Sequence, residues 1–295
     1  MSVSFDQMLV VGISSRALFN LEKENQIFEK EGLEAYRNYQ FEHEEDILEP
    51  GAGFPLVKKL LAVNEKMQKK MVEVIVMSRN SAETSLRMIN SIDHYGLDIN
   101  RMAMSGGEAI DRYLEPFGVD LFLSRKEEDV NRALKSGFPA GLIYPHDSYQ
   151  ANADDPIRIA FDADAVLFSG DSENIYQQHG LDAFRENEVK NENNAMKKGP
   201  MAKFLFQLSH LQKECAGHNV LRTAIVTARD KDSGKRVIKT LRQWNVIVDE
   251  VFFLQGAKKA DVLKSFQADI FFDDQDVHAK PASEVVPSAR VLNTD

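Results

Sequence analysis

A stretch of sequence that recurs at an offset of about 149 residues constrains this chain more than any other feature, because each copy must build the same elements. Val10-Val11-Gly12-Ile13-Ser14-Ser15-Arg16-Ala17-Leu18-Phe19 lies over Ile159-Ala160-Phe161-Asp162-Ala163-Asp164-Ala165-Val166-Leu167-Phe168, and each reads as a buried strand and its exit. Ile27-Phe28 before Gly32-Leu33-Glu34-Ala35-Tyr36-Arg37 is answered by Ile175-Tyr176 before Gly180-Leu181-Asp182-Ala183-Phe184-Arg185, both at helical spacing. Val74-Ile75-Val76-Met77-Ser78-Arg79-Asn80 faces Ala224-Ile225-Val226-Thr227-Ala228-Arg229-Asp230, and Ile89, Ile92 and Tyr95 face Ile238, Leu241 and Trp244 on an amphipathic helix. Leu114, Phe117, Asp120 and Phe122 fall on Leu263, Phe266, Asp269 and Phe271 and close each copy with a helix and an apolar strand. Strands separated by helices predict βαβ units, hence an α/β fold of tandem Rossmann-type units with doubly wound parallel sheets.

A length of 295 residues suits two such domains. The polar stretch from Pro145 to Pro156, bracketed by prolines, reads as the linker and places the boundary near residue 150, giving domains 1–150 and 151–295. A second polar stretch, Glu186 to Lys198, ends at Gly199-Pro200 and reads as a solvated surface loop rather than part of a lid.

Composition narrows the function classes. With 43% hydrophobic and 28% charged residues the chain can bury a core, which excludes disordered, collagenous and coiled-coil readings. The 46 acidic against 36 basic residues give a net charge of -10, which argues against nucleic-acid polymers and anionic membranes as partners. A phosphate ligand then needs a local site with its own cation. No apolar run approaches the length of a membrane span, and the N-terminus carries no export signal. The single cysteine, Cys215, has no partner for an internal disulfide, so the expected location is the cytoplasm.

A duplicated chain carries its own control: residues apolar in both copies serve the fold, and polar groups at strand ends of one copy are free for chemistry. Asp162 and Asp164 stand where the first copy has Ile13 and Ser15, and Asp273-Asp274 where it has Ser124-Arg125. Lys259 stands over Ile110 and Thr227 over Met77. The acids and Thr227 leave the carboxyl ends of apolar strands, the edge where doubly wound sheets bind ligands. Taken singly, Asp-x-Asp is turn chemistry, Thr227 a helix cap and Lys259 a solvated lysine. Together the four carboxylates repel one another unless a divalent cation is present, and hard oxygen ligands suit Mg²⁺.

The order acid pair, threonine, lysine, acid pair resembles the haloacid dehalogenase superfamily of phosphotransferases, with Asp162-Ala163-Asp164, Thr227, Lys259 and Asp273-Asp274 as its four motifs in sequence. Ser14-Ser15-Arg16-Ala17-Leu18-Phe19, Ile159 to Ser169, Val226-Thr227-Ala228-Arg229 and Phe271-Phe272-Asp273-Asp274-Gln275 followed by His278 further resemble its cytosolic 5'-nucleotidases of type I. Ala163 replaces a usual glycine, and Lys258-Lys259-Ala260-Asp261 a usual Pro-Lys-Gly-Pro, where register favours Lys259 over Lys258.

The resemblance implies hydrolysis of nucleoside 5'-monophosphates by the second unit, with the first unit catalytically silent. Asp162 is then the nucleophile and Asp164 the acid and base, while Thr227, Ala228 and Lys259 bind phosphate. Mg²⁺ is held by Asp162, Asp274 and the Asp164 carbonyl, and Asp273 orients this group. The first unit is left to supply a base and ribose pocket or an interface to a second copy of the chain. Ser78, Arg79 and Asn80 are substrate candidates against a structural role, and His278 is one against a helix cap. Rival readings are a non-catalytic nucleotide-binding regulator, a phospho-receiver module and a sugar-phosphate phosphatase. In a receiver the acidic metal pair precedes the phosphoacceptor strand, whereas here the adjacent acids come last.

Overall fold

The computed structural model describes Phe5, residues 7–146 and residues 155–293. The first half runs β1 (Leu9–Ile13), α1 (Ser15–Leu18), α2 (Glu22–Glu31), α3 (Leu33–Glu42), α4 (Phe54–Met67), β2 (Val72–Ser78), α5 (Leu86–His94), β3 (Arg101–Met104), β4 (Leu121–Ser124), α6 (Glu127–Lys135) and β5 (Ala140–Ile143). The second runs β6 (Ile157–Phe161), α7 (Asp171–Lys190), α8 (Ala202–Glu214), β7 (Leu221–Thr227), α9 (Lys231–Trp244), β8 (Glu250–Phe253), α10 (Lys259–Phe266), β9 (Ile270–Asp273), α11 (Asp276–Ser283) and β10 (Ser288–Arg290).

These strands form one sheet in the order β3-β2-β1-β4-β5-β10-β9-β6-β7-β8. Every neighbouring pair is parallel except β5 with β10, which is antiparallel. The fold is therefore α/β with a mostly parallel sheet, as the alternation of strand and helix patterns predicts. Strands such as β1, β2 and β4 are buried along their whole length because helices cover both faces, which is why they read as continuous apolar runs rather than alternating ones. The same strand order leads outward from the middle of the sheet in both halves, but the halves run in opposite directions. Strand ends of the first half consequently open on one edge of the sheet and those of the second half on the other. The boundary expected near residue 150 lies outside the described residues.

Across the middle, Lys59 of α4 reaches the second half and forms a buried ion pair with Asp269, with Nζ–O distances of 2.8 and 2.9 Å. Asp269 also accepts from Arg158 N at 2.8 Å, which holds the start of β6 against β9. Phe161 stacks on Phe272 at 5.4 Å between ring centroids, and Phe204 of α8 meets both rings edge-on.

Strand pairing corrects the alignment of the halves. Ile13 pairs with Val76 and Leu123, and Phe161 pairs with Ile225 and Phe272. Phe161 is thus the counterpart of Ile13, which puts Asp162 over Ser14 and Asp164 over Arg16, one residue from the expected register. By the same pairing Thr227 ends β7 as Ser78, not Met77, ends β2. The second half takes up its extra residue in the turn after β6, where Phe168 N donates to Ala163 O at 3.0 Å and Ala165 adopts φ 56°. In the first half the matching bond, Phe19 N to Ser15 O at 2.8 Å, closes one residue earlier. Single-residue insertions of this π type gather at functional sites.

The stretch from Glu186 also departs from expectation. It continues α7 as helix to Lys190, and Glu188 is buried at 1% exposure, because cations on neighbouring elements hold its carboxylate in the interior. Helix α7 kinks at Gly180, whose φ of 80° matches the 89° of Gly32 between α2 and α3. Among the described residues, no helix is long and apolar enough to cross a membrane.

Candidate active site

Because β9, β6 and β7 are neighbours in the sheet, their carboxyl ends bring Asp273, Asp162 and Thr227 side by side. Asp162 follows the last residue of β6, and its backbone N–H donates to Phe272 O at 2.8 Å, which fixes where its side chain leaves the sheet. Lys259, the first residue of α10, places Nζ 2.8 Å from Asp162 Oδ1 and 2.7 Å from Asp273 Oδ2. Lys258 is exposed, so the structure brings Lys259 and not its neighbour to the acids. Asp273 Oδ1 accepts from Gln275 N at 2.9 Å, which turns the chain and sets Asp274 beside the cluster. Asp162, Asp273 and Asp274 each offer a carboxylate oxygen within 4.8 Å of the others. Asp274 Oδ1 is buried without a hydrogen-bond partner among the described residues.

This grouping is electrostatically strained. Burial pushes the Asp162 carboxyl up to about 6, against the opposing pull of Lys259 and with added repulsion from Asp273 and Asp164. Burial pushes Asp274 up to about 7, with repulsion from Asp162 and Asp273 adding to it. Asp273 is raised by burial as well, although Lys259 opposes the rise. Burial disfavours the Lys259 charge, but Asp162 and Asp273 outweigh it and hold the ammonium above the ordinary lysine range. Three acids thus share one ammonium, which leaves the cluster short of positive charge.

Asp164 does not join the acids with its side chain. Arg229 grips it with both nitrogens of a fork, Nε to Oδ2 at 2.7 Å and Nη2 to Oδ1 at 2.6 Å. The Arg229 side chain is 2% exposed, and its remaining nitrogen bonds Glu188 and, at 3.1 Å, Ser233 O. Glu188 also accepts from Arg236 at 3.0 Å and from Ser172 at 2.8 Å. Burial opposes the Arg229 charge, yet Asp164 and Glu188 outweigh it and raise its pKa. Sequence reasoning gave neither Arg229 nor Glu188 a role. The signal the sequence did hold was Arg229 at the end of the Val226-Thr227-Ala228-Arg229 stretch, two residues beyond Thr227.

A cavity of about 460 Å³ opens over this edge and is lined by Asp162, Asp164, Thr227, Ala228, Lys259 and His278. Tyr176, Leu181 and Phe184 of α7 form its apolar side. Thr227 Oγ1 accepts from Arg229 N at 3.3 Å, so the hydroxyl hydrogen stays available to a ligand. His278 sits in the first turn of α11 but does not cap it, since Gln275 occupies the N-cap. Burial, then Lys259, lowers the His278 pKa and favours the neutral ring. A second cavity of about 730 Å³ touches the site at Ala165 and Asp274 and takes Leu134, Gly137 and Phe138 from the first half.

Ser78, Arg79 and Asn80 are not brought to this site. They follow the carboxyl end of β2, on the opposite edge of the sheet and about 30 Å away across six strand spacings. There Ser78 Oγ meets Ser15 Oγ at 3.0 Å, and Arg79 Nε bonds Asp129 at 2.7 Å. The antiparallel pairing of β5 with β10 is what turns this strand end away from the acids.

An α/β protein with buried carboxylates and a lysine at its parallel strand ends is the class that this geometry defines. The chain belongs to the 5'-nucleotidase family, whose model matches residues 1–294. Cytosolic 5'-nucleotidase 1B of Homo sapiens is 37% identical over 289 residues, covering 94% of this chain and 47% of the human protein. The chain therefore spans about half the length of that curated relative. Histidinol dehydrogenase from Elizabethkingia anophelis matches at 8% identity with a TM-score of 0.23, covering 96% of this chain and 79% of that one, a likeness too slight to bear on fold or function.

Proposed function

We propose that this chain is a Mg²⁺-dependent 5'-nucleotidase that hydrolyses nucleoside 5'-monophosphates to nucleoside and phosphate. The observation that carries the reading is the Asp162–Lys259–Asp273 cluster with Asp274 beside it, of which Asp162 and Lys259 line a cavity together with Thr227 and Asp164. Two tandem haloacid-dehalogenase-like units make up the chain in this account, residues 151–295 carrying the active site and residues 1–150 none of its acids.

A divalent cation fits the cluster on two grounds. Asp274 keeps a buried oxygen with no partner among the described residues, and the acids are held above their ordinary range by burial and mutual repulsion. Asp162 and Asp274, with the main-chain carbonyl of Asp164, would hold Mg²⁺, and Asp273 would brace them through Lys259 and Gln275. When bound, the ion supplies positive charge between an anionic nucleophile and an anionic phosphate.

The chain's own residues carry the steps. Asp162 attacks phosphorus, the bond from phosphorus to the 5'-oxygen breaks, and an aspartyl-phosphate forms. Lys259 and the Thr227 hydroxyl offset charge on the phosphoryl oxygens, with Ala228 lining the same end of the cavity. Asp164 enters the step with a proton on one oxygen, which Arg229 has released while it holds the other, and gives that proton to the departing 5'-oxygen. As the carboxylate it then takes a proton from the water that attacks phosphorus, which frees phosphate and restores Asp162 and the protonated Asp164. His278 and the α7 residues Tyr176 and Phe184 enclose the nucleoside. The same reading places the protein in the cytoplasm, after the cytosolic name of the human relative.

Phosphate release from 5'- and 3'-nucleoside monophosphates and sugar phosphates, with Mg²⁺ or EDTA, tests the proposal. Mg²⁺-dependent release from 5'-monophosphates is expected. Preferential release from sugar phosphates would assign a different substrate class, and nucleotide binding without turnover would make the chain a regulator.

A further inference from the structure

We infer that Arg229 is a positioning residue for Asp164, anchored in turn by Glu188 of α7. The inference rests on the nucleotidase reading, in which Asp164 carries both proton transfers. A carboxylate on a turn can rotate freely, whereas one gripped at both oxygens by a planar guanidinium has a single placement. Arg229 is itself immobilised: its third nitrogen is bonded to Glu188 and to Ser233 O, and the Phe184 ring lies 5.1 Å from its guanidinium carbon. Glu188 is held by Arg236 and Ser172, so each member of the chain of contacts is fixed by the next.

The first half of the molecule separates fold from function in this network. Arg236 of α9 has Arg87 of α5 as its counterpart, and Arg87 likewise ties its own α2–α3 pair through a buried bond to Glu24 at 2.6 Å. A tie from this arginine to the helices over the strand ends is therefore common to both halves and belongs to the fold. The remaining members are not repeated. By strand and helix register, Asn80 stands for Arg229, Arg16 for Asp164 and Gln40 for Glu188. The half without catalytic acids builds the same sheet and the same kinked helix pair without this grip. Burial of an ion pair is rarely a gain over apolar packing, so the grip is explained by what it holds. Helix α7 also lines the cavity with Tyr176, Leu181 and Phe184, which makes the helix that would enclose the nucleoside the one that anchors the placement of Asp164.

The test compares Arg229→Lys and Arg229→Gln with wild type on a nucleoside 5'-monophosphate and on 4-nitrophenyl phosphate, with Mg²⁺, reading kcat/KM for each. This parameter includes only steps through cleavage of the phosphorus–oxygen bond, and 4-nitrophenolate departs without a proton. With Asp164 misplaced, kcat/KM on the nucleotide is expected to fall by about 100-fold and that on the aryl phosphate by less than about threefold. In an Asp164→Asn background, Arg229→Lys is expected to add no further loss. Equal losses on both substrates, additive losses in the double variant, or variants that fail to fold would assign Arg229 to structure alone and overturn the inference. Wild-type protein that releases phosphate from neither substrate would instead overturn the nucleotidase reading itself.

Discussion

Replacing Asp274 by asparagine is predicted to abolish phosphate release and at the same time to stabilise the metal-free protein at alkaline pH. In the folded chain the Asp274 carboxyl titrates at about 7 against an ordinary 3.8, because burial and the charges of Asp162 and Asp273 disfavour its ionised form. Such a group favours the fold fully below its unfolded value, and the advantage is lost as pH rises through the folded value. The rise corresponds to about 4 kcal/mol at full strength, which solvent screening at this half-buried position reduces to about 2 kcal/mol. Asparagine keeps the shape without the charge. Urea denaturation in EDTA at pH 8 is therefore expected to show Asp274→Asn more stable than wild type by about 2 kcal/mol. At a pH near 4 the two should coincide, and Mg²⁺ at pH 8 should stabilise wild type far more than the variant. A variant no more stable than wild type at pH 8 in EDTA would refute the view that Asp274 is held there uncompensated.

Two further substitutions probe the charges on either side of the site. Lys259→Met leaves Asp162 and Asp273 facing each other without a cation and is expected to cost about 3–5 kcal/mol at pH 8 in EDTA, measured by urea denaturation. Because Lys259 opposes the rise of the Asp162 and Asp273 carboxyls, its loss lets both take up protons more readily, and the cost should shrink on acidification. Lys59→Ala removes the ammonium paired with the buried Asp269 carboxylate and is expected to cost about 3–5 kcal/mol, with Lys59→Ala/Asp269→Asn recovering part of it in the same measurement.

Asp162, Thr227, Asp273 and Asp274 were legible in the sequence because they end local apolar patterns, and the first half showed what those patterns look like without them; Lys259 was legible only by its register in the motif order. Helix and strand alternation likewise gave the α/β class. What escaped was set by contacts between distant segments. Arg229 and Asp164 are 65 residues apart and Glu188 lies 41 from Arg229, and nothing local announces which charges will meet. The buried Lys59–Asp269 pair, 210 residues apart, is of the same kind. The register of the halves was misread by one residue because the insertion is absorbed at Ala165, where neither glycine nor asparagine signals the positive φ. Ser78, Arg79 and Asn80 lie away from the acids for a topological reason that no local pattern announces: the antiparallel β5–β10 junction turns their strand end to the opposite edge.

Phosphate release from a nucleoside 5'-monophosphate by wild type and Asp162→Asn, with and without Mg²⁺, tests the central claim most directly. The account predicts Mg²⁺-dependent turnover in wild type and none in a folded Asp162→Asn variant that still binds nucleotide. Undiminished turnover by that variant would contradict it, since no other residue in this account can form the aspartyl-phosphate.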